Sequence, residues 1–326
     1  MPNQVWLWVG FNVFVLGLLG LDLGIVHRKA QVIRIKEALI WSAVWVVVAL
    51  LFNVGVYFWL GAEAGLSFLA GYLIERSLSV DNIFVFLLIF SYFRVPEVYQ
   101  YRVLFWGILG ALVTRALLIA AGVTLIQQFH WVIYIFGAFL IFTGVKLVTQ
   151  KYTEIQPEKN PVLRLFRRLM PVTSHYEGEK FFVSRAGRYF ATPLLVVLLV
   201  IETTDVIFAL DSIPAILGIT IDPFVVYTSN VVAILGLRAL YFAVVGLMRL
   251  FRYLDYGLSA VLVFVGAKML VADFYEMPVG LALGVVAGIL SLAILASVVL
   301  PDRSEAPRAP ALEDVEASGA YVNGAE

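Results

Sequence analysis

Cysteine is absent from the 326 residues and histidine occurs three times. The chain therefore forms no disulfide, holds no thiolate-ligated metal and carries out no thiol redox chemistry of its own. Charge is also sparse: 14% of residues are Asp, Glu, Lys or Arg, with 23 of each sign and a formal net charge of zero. Soluble domains carry about 25% charged residues. No basic stripe is present to draw nucleic acid to the surface. Signatures of common enzyme chemistry are missing as well: there is no P-loop, no Gly-x-Ser-x-Gly and no His-Glu-x-x-His. ATP-driven pumping within this chain is thereby unsupported, and we expect neither an enzyme nor a tightly bound cofactor.

What fills the sequence is apolar surface, at 62% of residues. The fold class expected is an all-α polytopic membrane protein with about nine transmembrane helices. Nine apolar runs are long enough to cross a bilayer: 5–26, 39–60, 66–92, 103–125, 131–148, 192–217, 224–247, 257–272 and 278–300. The first lacks a positive flank and is too long for a cleaved signal peptide. Between spans, the segments after the first, third, fifth and seventh, together with the tail, hold 18 of the 23 Lys and Arg residues. The alternate segments hold none. This alternation predicts a multi-pass membrane protein with its N-terminus outside and its C-terminus in the cytoplasm.

Residues 1–300 thus read as one transmembrane transporter domain interrupted by a cytoplasmic loop at 149–191. Within the loop, Val162, Leu165, Phe166 and Leu169 recur at helical spacing opposite Arg164, Arg167 and Arg168, the pattern of a short interfacial amphipathic helix. The stretches Phe181-Phe182-Val183 and Tyr189-Phe190, joined through Arg185-Ala186-Gly187-Arg188, predict a small hairpin. Residues 301–326, rich in Ala, Glu and Pro, read as a disordered cytoplasmic tail.

Spans 3–5 (about 66–148) and 6–8 (about 192–272) resemble each other at three places. Glu75 precedes Asp81-Asn82-Ile83 by six residues, as Asp205 precedes Asp211-Ser212-Ile213. Ile108-Leu109-Gly110 before Arg115-Ala116-Leu117 matches Ile234-Leu235-Gly236 before Arg238-Ala239-Leu240. Phe142-Thr143-Gly144-Val145-Lys146 matches Phe264-Val265-Gly266-Ala267-Lys268. Units of three spans enter the membrane from opposite sides, so the expectation is two inverted three-helix repeats, with spans 1, 2 and 9 peripheral. Inverted repeats of this kind build secondary transporters, with the site near mid-membrane at the repeat interface.

Five acids lie deep in spans 3 and 6: Glu75, Asp81, Glu202, Asp205 and Asp211. Asp22 stands near the inner end of span 1. A charge at the bilayer centre costs ~2.5–3.5 kcal/mol or more, so such groups face a partner or a wet cavity. The candidate counter-charges are Arg115 and Arg238 at mid-span, with Lys146 and Lys268 near span ends. Five deep acids exceed two deep arginines, so the surplus must be protonated or hold a cation. Glu202 and Asp205 share a helix face, while a spacing of six turns Glu75 and Asp81 about 120° apart. Asn82 falls on nearly the Glu75 face as a neutral oxygen ligand. Pro214 is expected to kink span 6 and free the Leu210 carbonyl beside Asp211 and Ser212. Oxygen-only ligands favour Mg²⁺, Ca²⁺ or Mn²⁺ and leave the choice among them open.

The run Glu75-Arg76-Ser77-Leu78-Ser79-Val80-Asp81-Asn82-Ile83-Phe84-Val85 resembles the third-span signature of the TerC family of integral membrane proteins. The run Glu202-Thr203-Thr204-Asp205-Val206-Ile207-Phe208-Ala209-Leu210-Asp211-Ser212-Ile213-Pro214-Ala215 resembles its sixth-span signature. Similarity continues through Thr228-Ser229-Asn230 and Leu235–Phe242 to Tyr256-Gly257 and Lys268, over roughly 5–300, with a layout like that of the Alx subgroup. The resemblance implies a manganese exporter of the inner membrane that needs Glu75, Asp81, Glu202, Asp205 and Asp211 for transport. Family names also invoke tellurium resistance and redox modulation; without cysteine, any redox effect here is indirect. The reading that follows is secondary Mn²⁺ export, with protons as the proposed exchanged ion and the lipid bilayer as the surrounding partner. Two alternatives fit the same residues. One is a membrane scaffold or stress-resistance protein with structural ion pairs; the other is a proton or monovalent-cation pathway.

Overall fold

The computed structural model describes residues 2–21, 35–149, 161–185, 187–246, 253–275 and 277–299. Asp22, the tail at 301–326 and residues 150–160 of the long loop lie outside the described residues. The described chain is helical apart from one hairpin. Its helices are α1 (Pro2–Leu21), α2 (Ile35–Leu60), α3 (Ala62–Tyr92), α4 (Glu97–Gln128), α5 (Val132–Thr149), α6 (Pro161–Leu169), α7 (Pro193–Leu217), α8 (Pro223–Leu235), α9 (Leu237–Gly246), α10 (Leu254–Leu270) and α11 (Val279–Val299). Strands β1 (Phe182–Arg185) and β2 (Arg188–Ala191) pair antiparallel between α6 and α7, where the loop pattern predicts a hairpin.

Five helices, α2, α4, α5, α7 and α11, are long and apolar enough to cross a membrane, and the bent pair α8–α9 makes a sixth. The protein is therefore a polytopic integral membrane protein. The other expected spans are also helical. Helix α3 carries Glu63, Glu75, Arg76 and Asp81, α10 is 17 residues long, and the apolar stretch of α1 runs Val5–Gly20. Large apolar side chains cover the outside, among them Trp6, Phe58, Trp59, Leu117 and Leu292, as a lipid-facing surface requires.

Local chemistry sets the helix ends. Pro193 and Pro223 occupy first-turn positions, where a missing N–H costs nothing, and the Asp222 carboxylate caps α8 by accepting from the amides of Phe224 and Val225. Pro214 falls in the last turn of α7, and this helix runs unbroken to Leu217. The break lies in the next span instead. Helices α8 and α9 meet at Gly236 with a 49° bend, and Arg76 Nη1 donates to the carbonyl of Ala233 (3.1 Å) beside it. That guanidinium satisfies a carbonyl at the bend and offsets the cost of an open backbone acceptor.

Helices α5 and α10 make the most extensive contact in the fold, followed by α4 with α7 and α3 with α8. Small residues permit the α5–α10 approach. A Cβ at Gly137 would stand 2.9 Å from the carbonyl oxygen of Gly266, and one at Gly266 would stand 2.6 Å from that of Gly137. Seven residues further along α5, the hydroxyl of Ser259 donates to the carbonyl of Gly144 at 2.6 Å. Close backbone approach of this kind supplies the van der Waals contact that holds helices together in lipid.

Candidate functional site

The centre of the bundle holds an oxygen cluster gathered from four helices. Glu75 and Ser79 come from α3, Arg115 from α4, Asp205 and Ser212 from α7, and Asn230 from α8; all six are buried. Arg115 organises them. Its Nε donates to Asp205 Oδ2 at 3.3 Å and its Nη2 to Asp205 Oδ1 at 3.0 Å, a forked pair. Nη1 donates to Glu75 Oε1, to Ser212 Oγ at 3.1 Å and to Asn230 Oδ1 at 3.0 Å. Ser79 adds its hydroxyl to Glu75 Oε1 at 3.4 Å.

The charges do not balance. Two carboxylates face one guanidinium, and Glu75 Oε2 is buried without a hydrogen-bond partner. Burying such an oxygen unpaired is costly in a medium that cannot solvate it. Ser212 and Asn230 add neutral oxygens of the kind that ligate hard cations. Among the described residues, no group of three or more His, Cys, Asp or Glu is arranged to hold a metal. Any cation here would rest on two carboxylates plus hydroxyl and amide oxygens.

The remaining sequence candidates fall around this centre. Glu202 is half-buried one turn before Asp205 and packs its carboxylate against Gly110 of α4, where a Cβ would collide with it. Asp211 is half-buried further along α7; its carboxylate accepts from Thr143 of α5 and lies near Lys146. Asn82 is buried two turns beyond Glu75 on α3, and Asp81 beside it is half-buried. Arg238, expected to pair with an acid, is buried with its guanidinium 4.8 Å from the centroid of the Tyr101 ring. Lys268 donates to the carbonyl of Gly218 at 2.7 Å, closing the C-terminus of α7. The structure thus joins Glu75 and Asp205 through Arg115 and leaves Asp211 outside that group.

Asn230, like Ser79, is a member that sequence reasoning passed over as a ligand. Its signal was available: Thr228-Ser229-Asn230 is a polar run inside an apolar helix, and all three residues are fully buried. Polar groups at that depth require partners.

Two smaller networks lie at the ends of spans. Beyond α10, Asp273 accepts from the Tyr134 hydroxyl and lies 3.0 Å from His130 Nε2. These two contacts, the tyrosine first, hold the Asp273 carboxyl below its usual range. The loop after α6 docks on the α3–α4 corner. There Arg102 pairs with Glu179 at 2.9 Å, and the Tyr176 hydroxyl donates to the carbonyl of Phe93 at 2.8 Å. Burial pushes the Tyr176 phenol up to about 12.

Comparison with known proteins places this arrangement. The chain is 56% identical over 293 residues to "Uncharacterized membrane protein STKORF319" of Myxococcus xanthus, covering 90% of this chain and 92% of that one. It is 49% identical over 298 residues to "Putative membrane-bound redox modulator Alx" of Salmonella typhi, covering 89% and 92%. The protein of the same name from Escherichia coli K12 is 48% identical, covering 89% and 93%. No solved structure matches. Residues 60–305 match the integral membrane protein TerC family, a stretch that contains every residue of the oxygen cluster, and the chain belongs to that family.

Proposed function

We propose that the chain is a secondary transporter that exports divalent manganese across the inner membrane through the Glu75–Asp205 cluster. The observation that carries this reading is the meeting of Glu75 and Asp205. They occupy matching positions of the two three-span units, and they converge on one buried point with neutral oxygens beside them. Acids at that depth, with a carboxylate oxygen left unpaired, suit a cation that comes and goes.

Nine spans arranged as two inverted repeats account for the packing. Exchanging α3–α5 with α7–α10 turns the α4–α7 contact into α8–α3 and leaves α5–α10 paired with itself, in keeping with the extensive contacts observed. The same exchange turns the Gly137–Gly266 approach into the Ser259–Gly144 contact. The bend at Gly236 is a discontinuity of the kind transporters place beside their sites. Lys and Arg placement supports an outside N-terminus and a cytoplasmic C-terminus.

Oxygen ligands favour hard divalent cations over Zn²⁺ or Cu⁺, and the preference for manganese within that class follows from the family resemblance. Metal ligands must be deprotonated, so loading would release protons and alternating exposure would exchange outward Mn²⁺ for inward H⁺. The redox name carried by relatives fits only an indirect effect, because this chain has no thiol.

A second reading has a specific observation in its favour. Arg115 already satisfies most of the cluster, as it would in a membrane scaffold held by buried ion pairs. Reconstituted vesicles separate the two. The transporter moves Mn²⁺, and its flux responds to an imposed proton gradient; the scaffold moves none. Flux carried by protons or monovalent ions with no Mn²⁺ movement selects the cation-pathway alternative.

A further inference from the structure

We propose that Arg115 is a tethered stand-in for the transported ion: its guanidinium fills the oxygen cluster when no divalent cation is bound and must leave before one enters. The inference rests on the transport reading above and goes beyond it by assigning a second occupant to the site.

Three observations support it. First, the acceptors of Arg115 are the atoms a hard cation would need. They are both oxygens of Asp205, Oε1 of Glu75, Oγ of Ser212 and Oδ1 of Asn230. A guanidinium donating to all of these leaves a cation no coordination there, so the two occupants exclude each other. Second, the charge sum favours exchange. With both carboxyls ionised, Glu75 and Asp205 bring two negative charges, of which Arg115 offsets one and a divalent ion both. Guanidinium and divalent ion together would overshoot. Third, Arg115 fills the site incompletely, because Glu75 Oε2 stays buried without a partner. A purely structural arginine would be expected to close that vacancy.

Glu202 offers the displaced guanidinium a destination. It lies one turn from Asp205 on α7, against Gly110 on the helix that carries Arg115, and enters no ion pair among the described residues. A resident competitor lowers apparent affinity in proportion to its occupancy, which keeps a buried site from trapping its cargo. Substrate then leaves when Arg115 returns.

The test is Mn²⁺ titration calorimetry on the purified full-length protein, with Mn²⁺ flux measured in vesicles of the same preparation. Wild type is compared with Arg115→Gln and Arg115→Lys. Removing the competitor is expected to tighten Mn²⁺ binding by about tenfold or more, or about 1.4 kcal/mol, while flux falls. The lysine variant, which lacks the fork, is expected to bind between the two. Should Arg115→Gln fold only when Mn²⁺ is added, the ion is replacing the guanidinium and the proposal stands. Should it fail to fold at all, Arg115→Lys decides: tighter binding supports the exchange, and equal or weaker binding overturns it. Unchanged or weaker affinity in a folded Arg115→Gln protein also overturns it, even when wild type transports Mn²⁺. Wild type that neither binds nor moves Mn²⁺ removes the transport reading, and this proposal with it.

Discussion

Arg115 and Asp205 are joined by two hydrogen bonds, Nε to Oδ2 at 3.3 Å and Nη2 to Oδ1 at 3.0 Å, between α4 and α7. Both residues are almost completely enclosed. The fork fixes the guanidinium plane and so directs Nη1 toward Glu75, Ser212 and Asn230. One ion pair therefore ties together four helices.

Asp205→Asn removes one arm of this arrangement and leaves Arg115 under-compensated in the core. Breaking a buried pair from one side costs about 3–5 kcal/mol. Thermal unfolding in detergent is expected to show a lowered midpoint. Asp211→Asn alters a half-buried group beside Thr143 and Lys146, and its cost is expected to be about 1 kcal/mol or less. The second variant should accumulate normally and still lose manganese tolerance in cells. Equal destabilisation by both changes would contradict the assignment of Asp205 to the structural centre.

Gly137→Leu is expected to separate α5 from α10. The new Cβ meets the backbone oxygen of Gly266 at 2.9 Å, and no side-chain rotation relieves a clash with backbone. Overpacking of this kind costs about 1–3 kcal/mol. Gly10→Ala on α1, which has open space around it, is the matched control and should leave the unfolding midpoint unchanged.

Gly236→Ala probes the bend between α8 and α9. Its Cβ would lie 2.7 Å from Arg76 Nη1, the end of a flexible side chain that can move aside. Folding is therefore tolerated, but the bond from Arg76 to the Ala233 carbonyl is lost, at a cost of about 1 kcal/mol. If the bend is a moving joint of the transport cycle, the maximal flux changes while Mn²⁺ affinity stays the same.

Tyr176 gives the loop an alkaline limit. Its folded-state pKa is raised from 10.0 to about 12 by burial, so the neutral phenol is the form the fold prefers. The resulting stabilisation is complete below pH 10 and is lost as pH rises toward about 12. Ultraviolet titration should show that Tyr176→Phe removes one tyrosine from the late-ionising fraction. The carboxyl of Asp273 behaves oppositely: its contribution is present at neutral pH and is lost only in acid, below the ordinary carboxylate range.

Much of this architecture was legible in the sequence because membranes impose long periods on it. Apolar runs and the segregation of Lys and Arg marked the helices, and Phe181–Phe190 marked the hairpin. Depth alone singled out Glu75, Asp205 and Arg115 as charged groups inside spans, but not which of the five acids Arg115 would meet. What escaped was set by tertiary contact. Pro214 looked like the breaker of α7, yet it sits in the last turn, and the break between helices falls at Gly236, where Arg76 Nη1 would stand 2.7 Å from an added Cβ. The stacking of Arg238 on Tyr101 is a contact that sequence spacing does not reveal. Asn230 joined the cluster through a side-chain direction that no linear motif encodes.

The most direct measurement is Mn²⁺ flux in vesicles reconstituted with purified wild-type protein, Asp205→Asn and Asp211→Asn, each with and without a proton gradient. The account expects saturable Mn²⁺ flux in wild type that changes with the gradient, and loss of flux in both variants. Absence of Mn²⁺ flux in folded wild-type protein, or flux that survives in both variants, would contradict it.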